Sequence, residues 1–288
     1  MGRAEAHMSN ESGRDTWRHL QWPSRKVESF VVSFPKSGRT WLRVLLAVVE
    51  ARRRGDDPNA VVSEWLGQDA PSMAGRPVLF THALAPNAHE RVEAMSYFLA
   101  YIGDQRRIFL VRDPRDTIVS YFFQVTKRQR GSAFANDIGR FVRDSAYGID
   151  RLLLFLVACD ASLREASGPS LVVAYEDLHA DPQRVLAATA EFLGCPAAAG
   201  ALASAVTFGE FDNMRRLELE GGFGRPRLAM RDANDVESLK TRKGVVGGYA
   251  EYLSRKDLSY VEERIGALLP ARFGYGEPGA PASAALAS

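Results

Sequence analysis

Short apolar runs alternate with longer segments of helical periodicity along the middle of the chain. The short runs are rich in β-branched and aromatic side chains and cover residues 29–34, 77–81, 107–112 and 170–174. Runs of this length and composition predict buried β-strands. The longer segments predict helices over residues 41–49, 114–127, 150–166 and 182–193, and from Lys256 onward. Strands that alternate with helices predict one α/β domain, in which helices flank a central parallel sheet.

The predicted domain covers residues 26–274. Residues 1–25 contain no apolar run, so we predict that they form a disordered N-terminal segment. Within it, we interpret residues 1–7 as a tag remnant that precedes a native start at Met8. Residues 275–288 are rich in Gly, Pro, Ala and Ser. This segment has almost no large apolar side chains, and their burial could not offset the entropy that is lost when the chain becomes ordered. We therefore predict a flexible tail.

The composition is that of an ordinary globular protein, with 46% hydrophobic and 25% charged residues. A net charge of +2 is too small for a general nucleic-acid binder, so we expect no nucleic-acid partner. No segment has the roughly 18 consecutive apolar residues of a membrane span, and the N-terminus does not resemble a secretory signal. Cys159 and Cys195 lack CxxC spacing and predict buried thiols. Together these features predict a cytoplasmic protein without a membrane partner.

The segment 34–41, Phe-Pro-Lys-Ser-Gly-Arg-Thr-Trp, lies between the first predicted strand and its helix. The N–H groups and dipole of a helix N-terminus bind anions. Gly38 allows a close backbone approach, Ser37 and Thr40 offer hydroxyl donors, and Lys36 adds a positive charge. The pattern predicts a phosphate-binding loop, although a surface turn explains these residues equally well on local grounds. It is not a Walker A motif, because Lys36 precedes the glycine instead of following it.

This loop and four further blocks resemble the cytosolic sulfotransferases that use 3′-phosphoadenosine 5′-phosphosulfate (PAPS). The loop FPKSGRTW is similar to the phosphosulfate loop of that family, YPKSGTxW. The other blocks are RIFLVRDPRDTIVSYFFQ from residue 107, YEDL at 175–178 with the DP and FLG that follow it, FDNMR at 211–215 and RKGVVG at 242–247. Five blocks in family order identify the chain as a member, and its Ala and Arg enrichment favours a bacterial one. The resemblance implies a P-loop-kinase-like sulfotransferase fold and transfer of a sulfuryl group from PAPS to a small-molecule acceptor.

The resemblance also assigns residues to the donor nucleotide. The residues assigned to the 5′-phosphosulfate are Lys36, Ser37, Gly38, Arg39, Thr40 and Trp41. The residues assigned to the 3′-phosphate are Arg112, Ser120, Arg242, Lys243 and Gly244. The residues assigned to the adenine are Trp41, Tyr175, Phe211 and Met214, since aromatic and thioether groups pack on purine faces. A guanidinium suits phosphate because its planar fork binds two oxygens at once. Without the family, an ion pair with Asp113 or Asp116 is the first interpretation of Arg112, and the aromatic residues are assigned to the core.

For the reaction, the resemblance implies in-line transfer with His82 as the general base and Lys36 as the group that stabilises the leaving oxygen. His82 directly follows a predicted strand, where ligand sites of α/β folds gather, and the pKa of histidine suits proton transfer near neutrality. The segment PVLFTH at 77–82 is similar to the KTH segment of the family, with Phe80 in place of its lysine, which favours an apolar acceptor. A structural histidine is the alternative. The sequence contains no cluster of metal ligands, and no metal is predicted.

Two other functions stay open at this point. A nucleoside or nucleotide kinase uses the same strand, loop and helix, but the missing Walker spacing disfavours it. A nucleotide-binding module without catalysis is disfavoured because Lys36 and His82 are both present. The Gly- and Arg-rich segment 221–248 predicts a long loop, of which we expect residues 221–240 to order over the acceptor. The sequence does not define which acceptor is used, whether its reacting group is a hydroxyl or an amine, or the oligomeric state. Its composition suggests an enzyme that modifies natural products.

Overall fold

Five β-strands form the centre of the fold in the computed structural model, which describes residues 27–83, 92–128, 134–221, 239 and 241–276. The strands are β1 (Ser29–Ser33), β2 (Ser72–Met73), β3 (Arg76–Thr81), β4 (Arg106–Val111) and β5 (Ser170–Ala174). The helices are α1 (Arg39–Arg54), α2 (Pro58–Gly67), α3 (Val92–Tyr101), α4 (Pro114–Phe123), α5 (Ile138–Phe141), α6 (Ile149–Glu165), α7 (Tyr175–Ala180), α8 (Pro182–Phe192), α9 (Ala199–Phe208), α10 (Phe211–Leu219) and α11 (Arg255–Leu268). A π-helical turn at Gln124–Arg128 continues α4, and 3₁₀ turns occupy Gly248–Glu251 and Ala271–Phe273.

The strands lie in the order β2-β3-β1-β4-β5. Strands β3, β1, β4 and β5 are parallel, with Val32 paired to both Thr81 and Phe109, and the two-residue β2 adds an antiparallel edge. The chain first leaves β1 for β3 on one side and then crosses to β4 on the other side, so a topological switch lies beside β1. In open α/β sheets, ligands bind outside the carboxyl ends of the strands at such a point.

Both faces of the sheet are covered by helices, as parallel sheets require. Phe30 and Val32 of β1 pack in a core shared with α3, α4, α6 and α11, whereas Val31 packs in a second core with α1, α2, α8 and α9. Strand β4 repeats this alternation with Phe109 on the first face and Ile108 on the second. Burial on both faces explains why the strand sequences are continuous apolar runs.

The four predicted strands and the predicted α/β sheet are confirmed, with bounds that differ by one residue at most. The predicted helices are confirmed as α1, α4 with its π-helical turn, α6, α8 and α11. The short strand β2 and the helices α2, α3, α5, α7, α9 and α10 were not predicted. In α9, for example, only Leu202 and Ala205 are buried, so its apolar stripe is too narrow to show in the sequence. The sheet is also not wholly parallel, because β2 runs against β3.

Several predictions fall on residues outside the described ranges. They are the N-terminal segment 1–25, the tail from residue 277 and residues 222–238 and 240 of the predicted loop. The described part of that loop, 241–247, contains no helix or strand. Among the described residues, no helix is long and apolar enough to cross a membrane.

The packed part of the chain extends through Tyr275, one residue beyond the predicted end of the domain. The Tyr275 side chain is 2% exposed, and its hydroxyl donates to Glu176 Oε2 at 2.6 Å. Glu176 Oε1 accepts the N–H of Asp113 at 3.0 Å, and Arg115 donates to the Tyr275 carbonyl at 3.3 Å. The C-terminal segment is therefore tied to the starts of α4 and α7. Its Gly- and Pro-rich surroundings hid this anchor in the sequence.

We expect Tyr275→Phe to lower the free energy of unfolding by about 1–3 kcal/mol, because it removes a hydrogen-bond donor from the partly buried Glu176 carboxylate. Urea denaturation measures this change. The matched control is Tyr260→Phe, which removes a hydroxyl from a partly exposed ring and should change the free energy by less than about 0.5 kcal/mol. Equal losses in the two variants would contradict the assignment.

Candidate functional site

The predicted site residues meet at one edge of the sheet, because they follow the carboxyl ends of four neighbouring parallel strands. The loop 34–38 follows β1, His82 follows β3, Arg112 follows β4 and Tyr175 follows β5. Arg112 Nη1 donates to the carbonyl of Lys36 at 3.3 Å, so two of these loops are in direct contact. We call this region the carboxyl edge.

The loop between β1 and α1 has the backbone shape of an anion site. Lys36 has a φ of 72° and Gly38 a φ of 93°, so two residues of the loop lie in the left-handed region. This conformation costs a residue other than glycine about 1–2 kcal/mol, and such strain concentrates at functional sites. Among the described residues, no side chain caps α1, which leaves the first N–H groups of the helix for an anion.

Gly38 lies against an aromatic group. A Cβ at this position would stand 2.6 Å from Tyr175 Cδ2, which leaves no room for a side chain. The Tyr175 ring packs edge-on against Trp41 at a centroid distance of 5.8 Å, and Trp41 Nε1 donates to the Gly209 carbonyl at 2.9 Å. His179 adds a third ring, 6.4 Å from that of Trp41. The structure thus brings together two of the four residues predicted to line the adenine.

The other two predicted adenine residues, Phe211 and Met214, lie on α10. Phe211 packs against Gly244, where an added Cβ would stand 2.5 Å from the Phe211 ring. His179 Nε2 donates to the Gly244 carbonyl at 2.9 Å, which joins α7 to the segment 242–244. Met214 is 5% exposed and packs in the core beside α1. Phe211 therefore borders the predicted site, whereas Met214 contributes mainly to the core.

Arg112 is fixed by several groups at once. Its guanidinium lies 4.2 Å from the centroid of the Tyr175 ring and donates to the carbonyls of Lys36 and Val245. It also pairs with Asp116 at 3.6 Å, so the ion pair suggested by the local sequence forms. Arg112 Nε is buried and has no hydrogen-bond partner among the described residues. An unsatisfied buried donor is unfavourable, which fits a site that accepts a further anionic group.

Arg242 and Lys243 contact aromatic rings in this structure. Arg242 Nη1 donates to the Tyr252 hydroxyl at 2.5 Å, and its guanidinium lies 4.5 Å from the centroid of Phe123. Lys243 pairs with Glu251, and its ammonium lies 4.8 Å over the Tyr252 ring. A phosphate bound to this segment would compete with Tyr252 and Glu251 for the two cations.

Asp116 anchors the end of the same segment. Its carboxylate accepts the N–H of Gly247 at 2.8 Å and that of Tyr249 at 2.9 Å. The sequence suggested an ion pair of Asp116 with Arg112 but not these backbone contacts. Ser120 follows one turn later on α4 and is 9% exposed. Arg112 precedes α4, Asp116 and Ser120 lie on it, and Asp116 holds the end of the predicted phosphate segment against it.

Lys36 is surrounded by charged side chains. Burial, followed by the charges of Arg128 and Arg112, lowers the pKa of the Lys36 ammonium to about 7, and Arg242 acts in the same direction. The carboxylate of Glu218 opposes these effects. Four cations and one carboxylate make this part of the carboxyl edge positive, which favours an anionic ligand.

Arg39 and Thr40 occupy the first turn of α1. Burial, followed by the charge of Arg43, lowers the pKa of Arg39 to about 9, and Asp69 opposes this shift. Arg43 lies 4.9 Å from the centroid of Phe80, the residue that replaces the lysine of the family. The Phe80 ring is 7% exposed, so it packs in the core, and a guanidinium from α1 stands beside it. Thr40 is partly exposed.

His82 is oriented by the neighbouring strand. Its Nδ1 lies 2.8 Å from the carbonyl oxygen of Ser33, the last residue of β1. A carbonyl only accepts hydrogen bonds, so Nδ1 carries the proton, and Nε2 carries the lone pair of the neutral ring. Directly after it, Ala83 has a φ of 46° and donates its N–H to Thr81 Oγ1 at 3.0 Å. This tautomer suits a general base.

Two charged residues of the site had no signal in the sequence. Glu218 in the last turn of α10 is 1% exposed and pairs with Arg128 at 2.8 Å, at the end of the π-helical turn. Neither residue belongs to one of the blocks, and isolated charges on helices are usually solvated. Their contact spans a long stretch of sequence, so no local pattern could reveal it. Among the described residues, no group of His, Cys, Asp or Glu could hold a metal ion.

A family model described as a sulfotransferase domain matches residues 26–271, which is most of the chain. The chain belongs to the sulfotransferase family. The predicted family and the predicted enzyme class, a PAPS-dependent sulfotransferase, are thereby confirmed. The kinase alternative is not supported.

This sulfotransferase has relatives among plant enzymes. It is 22% identical to flavonol 3-sulfotransferase of Flaveria bidentis over 280 residues, a match that covers 88% of each chain. It is 25% identical to cytosolic sulfotransferase 5 of Arabidopsis thaliana, with 79% of this chain and 75% of the relative covered. The chain therefore aligns with most of the length of both enzymes.

Solved structures share its fold. Mouse sulfotransferase SULT7A1, complexed with PAP (adenosine 3′,5′-bisphosphate), superimposes with a TM-score of 0.61 at 21% identity. The match covers 91% of this chain and 90% of the mouse chain. A retinol dehydratase in a complex with retinol and PAP gives a TM-score of 0.58 at 17% identity, with 85% of this chain and 82% of its own covered. These likenesses confirm the predicted sulfotransferase fold.

We expect Gly38→Ala to destabilise the protein more than Gly55→Ala. Both glycines have a positive φ, but an added Cβ meets Tyr175 at Gly38 and nothing within 4 Å at Gly55. Backbone strain should cost each variant about 1–2 kcal/mol. The clash should add about 1–3 kcal/mol at Gly38 alone. Urea denaturation of both variants measures the difference, and equal losses would show that Tyr175 moves aside without cost.

Proposed function

We propose that this enzyme binds PAPS across the carboxyl edge and transfers its sulfuryl group in line to a hydroxyl of a small-molecule acceptor, with His82 as the general base. The observation that carries this proposal is the convergence of Lys36, Arg112, Arg128 and Arg242 on a loop at the N-terminus of α1. A site with so much positive charge suits a donor that carries a phosphosulfate and a second phosphate.

The two ends of the donor fit two parts of the site. The 5′-phosphosulfate would lie at the start of α1, where the backbone N–H groups and Lys36 face it. The 3′-phosphate would lie near Arg112, whose buried Nε would gain an acceptor, and near the segment 242–244. The adenine would lie against Trp41 and Phe211, which border these two parts. This arrangement supports the nucleotide assignment made from the resemblance.

In the transfer, the acceptor oxygen forms a bond to sulfur while the bond between sulfur and the 5′-phosphate oxygen breaks. The hydroxyl proton passes to Nε2 of His82, and the electron pair of the broken bond stays on the 5′-phosphate, which leaves as adenosine 3′,5′-bisphosphate (PAP). Lys36 stabilises the charge that develops on this oxygen. The hydrogen bond from His82 to Ser33 places the ring proton on Nδ1, so Nε2 is the basic nitrogen of the neutral ring before the transfer.

The acceptor in this proposal is a small, largely uncharged molecule. One relative is named for a flavonol, and structures of retinol dehydratase contain retinol or androsterone. Phe80 stands where the family has a lysine, and it offers an apolar ring that packs mainly in the core. We also propose that the enzyme acts in the cytoplasm without a metal, membrane or nucleic-acid partner. The names of its cytosolic relatives and its net charge of +2 support this part.

We expect His82→Asn to lower kcat by about 10²–10⁴-fold, because asparagine can donate to the Ser33 carbonyl but cannot take up the acceptor proton. The dissociation constant of PAP should stay the same. Release of PAP from PAPS, followed with a panel of phenols, steroids, sugars and amines, measures the rate, and calorimetry measures the affinity. A variant with an unchanged kcat would exclude His82 as the base.

We expect Lys36→Met to weaken PAP binding by roughly tenfold or more, since it removes a charge-assisted contact to phosphate. Calorimetric titration in metal-free buffer measures this, with ATP and Mg²⁺ as the comparison ligand. The exposed Lys256→Met is the matched control and should bind PAP like the wild type. Lack of PAP binding by the wild type, or a preference for ATP with Mg²⁺, would contradict the proposed donor.

The same titration should depend on pH. PAP favours the protonated ammonium, and the pKa of Lys36 is about 7 in the protein without ligand. Above about pH 7, binding must therefore take up a proton, and the affinity should fall as the pH rises. Lys36→Met should lose the part of this decline that Lys36 causes. An identical pH profile in both proteins would show that Lys36 does not titrate in this range.

A further inference from the structure

The carboxylate of Glu218 connects three elements of the site. Its side chain is fully buried at the end of α10. Oε1 accepts from Arg128 Nη1 at 2.8 Å, and Oε2 accepts the backbone N–H of Thr241 at 2.8 Å. Arg128 ends the π-helical turn that continues α4, and Thr241 immediately precedes the segment 242–244. One side chain therefore holds the end of α10, the extension of α4 and the start of the phosphate segment together.

Glu218 is also the carboxylate that opposes the positive charges around Lys36. Arg112, Arg128 and Arg242 all act on Lys36 in one direction, and Glu218 acts in the other. Arg128 is itself only 10% exposed, so the loss of Glu218 would leave a poorly solvated guanidinium beside Lys36. A buried ion pair adds little net stability, because desolvation offsets the attraction between the charges. Burial of this pair at the carboxyl edge therefore calls for a functional explanation.

We propose that Glu218 is a positioning residue of the donor site, which fixes the segment 242–244 through Thr241 and offsets the charge of Arg128 beside Lys36. It acts through these neighbours and does not touch the reacting atoms. The inference rests on the proposed function, because the site that it organises is the PAPS site.

Glu50 provides a matched control within the same chain. It lies in the last turns of α1, far along the helix from the carboxyl edge, and its side chain is fully buried. It pairs with Arg53 at 2.7 Å and accepts the backbone N–H of Ala74 at 3.1 Å. Glu50→Gln therefore removes a buried carboxylate with the same kinds of partner but leaves the site untouched.

The first test compares PAP binding by calorimetry in Glu218→Gln, Glu50→Gln and the wild type. We expect Glu218→Gln to weaken binding roughly tenfold, as the loss of a charged hydrogen bond does, and Glu50→Gln to stay within about twofold of the wild type. Equal affinities in the two variants would overturn the inference while leaving the proposed function intact. A wild type that did not bind PAP would overturn both.

The second test is the pH profile of PAP binding, which a merely structural role would not shift. Lys36 faces Arg112, Arg128, Arg242 and Glu218, so removal of the carboxylate should lower the pKa of Lys36 further. The decline of affinity with rising pH should then begin at a lower pH in Glu218→Gln than in the wild type. The phosphates of free PAP titrate in the same way whichever variant is used. A difference between the pH profiles of two variants therefore reflects a group of the protein. A loss of affinity that is uniform across pH would overturn the inference.

A double variant guards against misfolding of the single one. Arg128→Met with Glu218→Leu removes both charges, and apolar replacement of a buried ion pair generally preserves the fold. We expect this protein to unfold cooperatively in urea but to bind PAP at least roughly tenfold more weakly, because the N–H of Thr241 has lost its acceptor and Arg128 no longer adds its charge to the site. A folded double variant with the affinity of the wild type would overturn the inference.

Discussion

The concentration of positive charge at the carboxyl edge is the constraint on which the rest of the site depends. Burial, followed by the nearby charges of Arg128, Arg112 and Arg242, lowers the pKa of Lys36 to about 7. Like charges in a partly buried space repel one another, and the fold holds them with carbonyls, rings and carboxylates. A bound polyanion would relieve this repulsion. The positive charges that the anionic donor needs are thus already held together by the fold of the protein.

Carboxylates that need not touch a ligand hold the cations in place. The segment 241–247 forms no helix or strand, and it is attached at both ends by acidic side chains. Glu218 accepts the N–H of Thr241, and Asp116 accepts that of Gly247. Both carboxylates bind backbone groups, so they determine the path of the chain and through it the places of the side chains between them. The geometry of the phosphate segment therefore depends on α4 and α10.

The sheet and the strand-loop-helix unit around residues 34–41 could be predicted because their signals are local. Each strand is a continuous apolar run, and the loop from 34 to 41 combines turn residues with a helix start. The roles of the binding residues came from the resemblance and stay predictions. The Arg128–Glu218 pair and the anchor at Tyr275 could not be predicted, since both join residues that are far apart in sequence and belong to no motif. Tertiary contacts of this kind leave no periodic pattern.

The proposed base and the proposed donor loop are connected through β1. His82 donates to the carbonyl of Ser33, and the phosphate loop with Lys36 begins at the next residue. In-line transfer needs the acceptor oxygen, the sulfur and the leaving oxygen on one line, so in the proposed mechanism His82 and Lys36 must keep a fixed separation. The loop of Lys36 continues β1 directly, and His82 at the end of the neighbouring β3 is hydrogen-bonded to the last residue of β1, so the two are held relative to each other. This single hydrogen bond therefore links the position of the His82 ring to the strand that leads into the loop of Lys36.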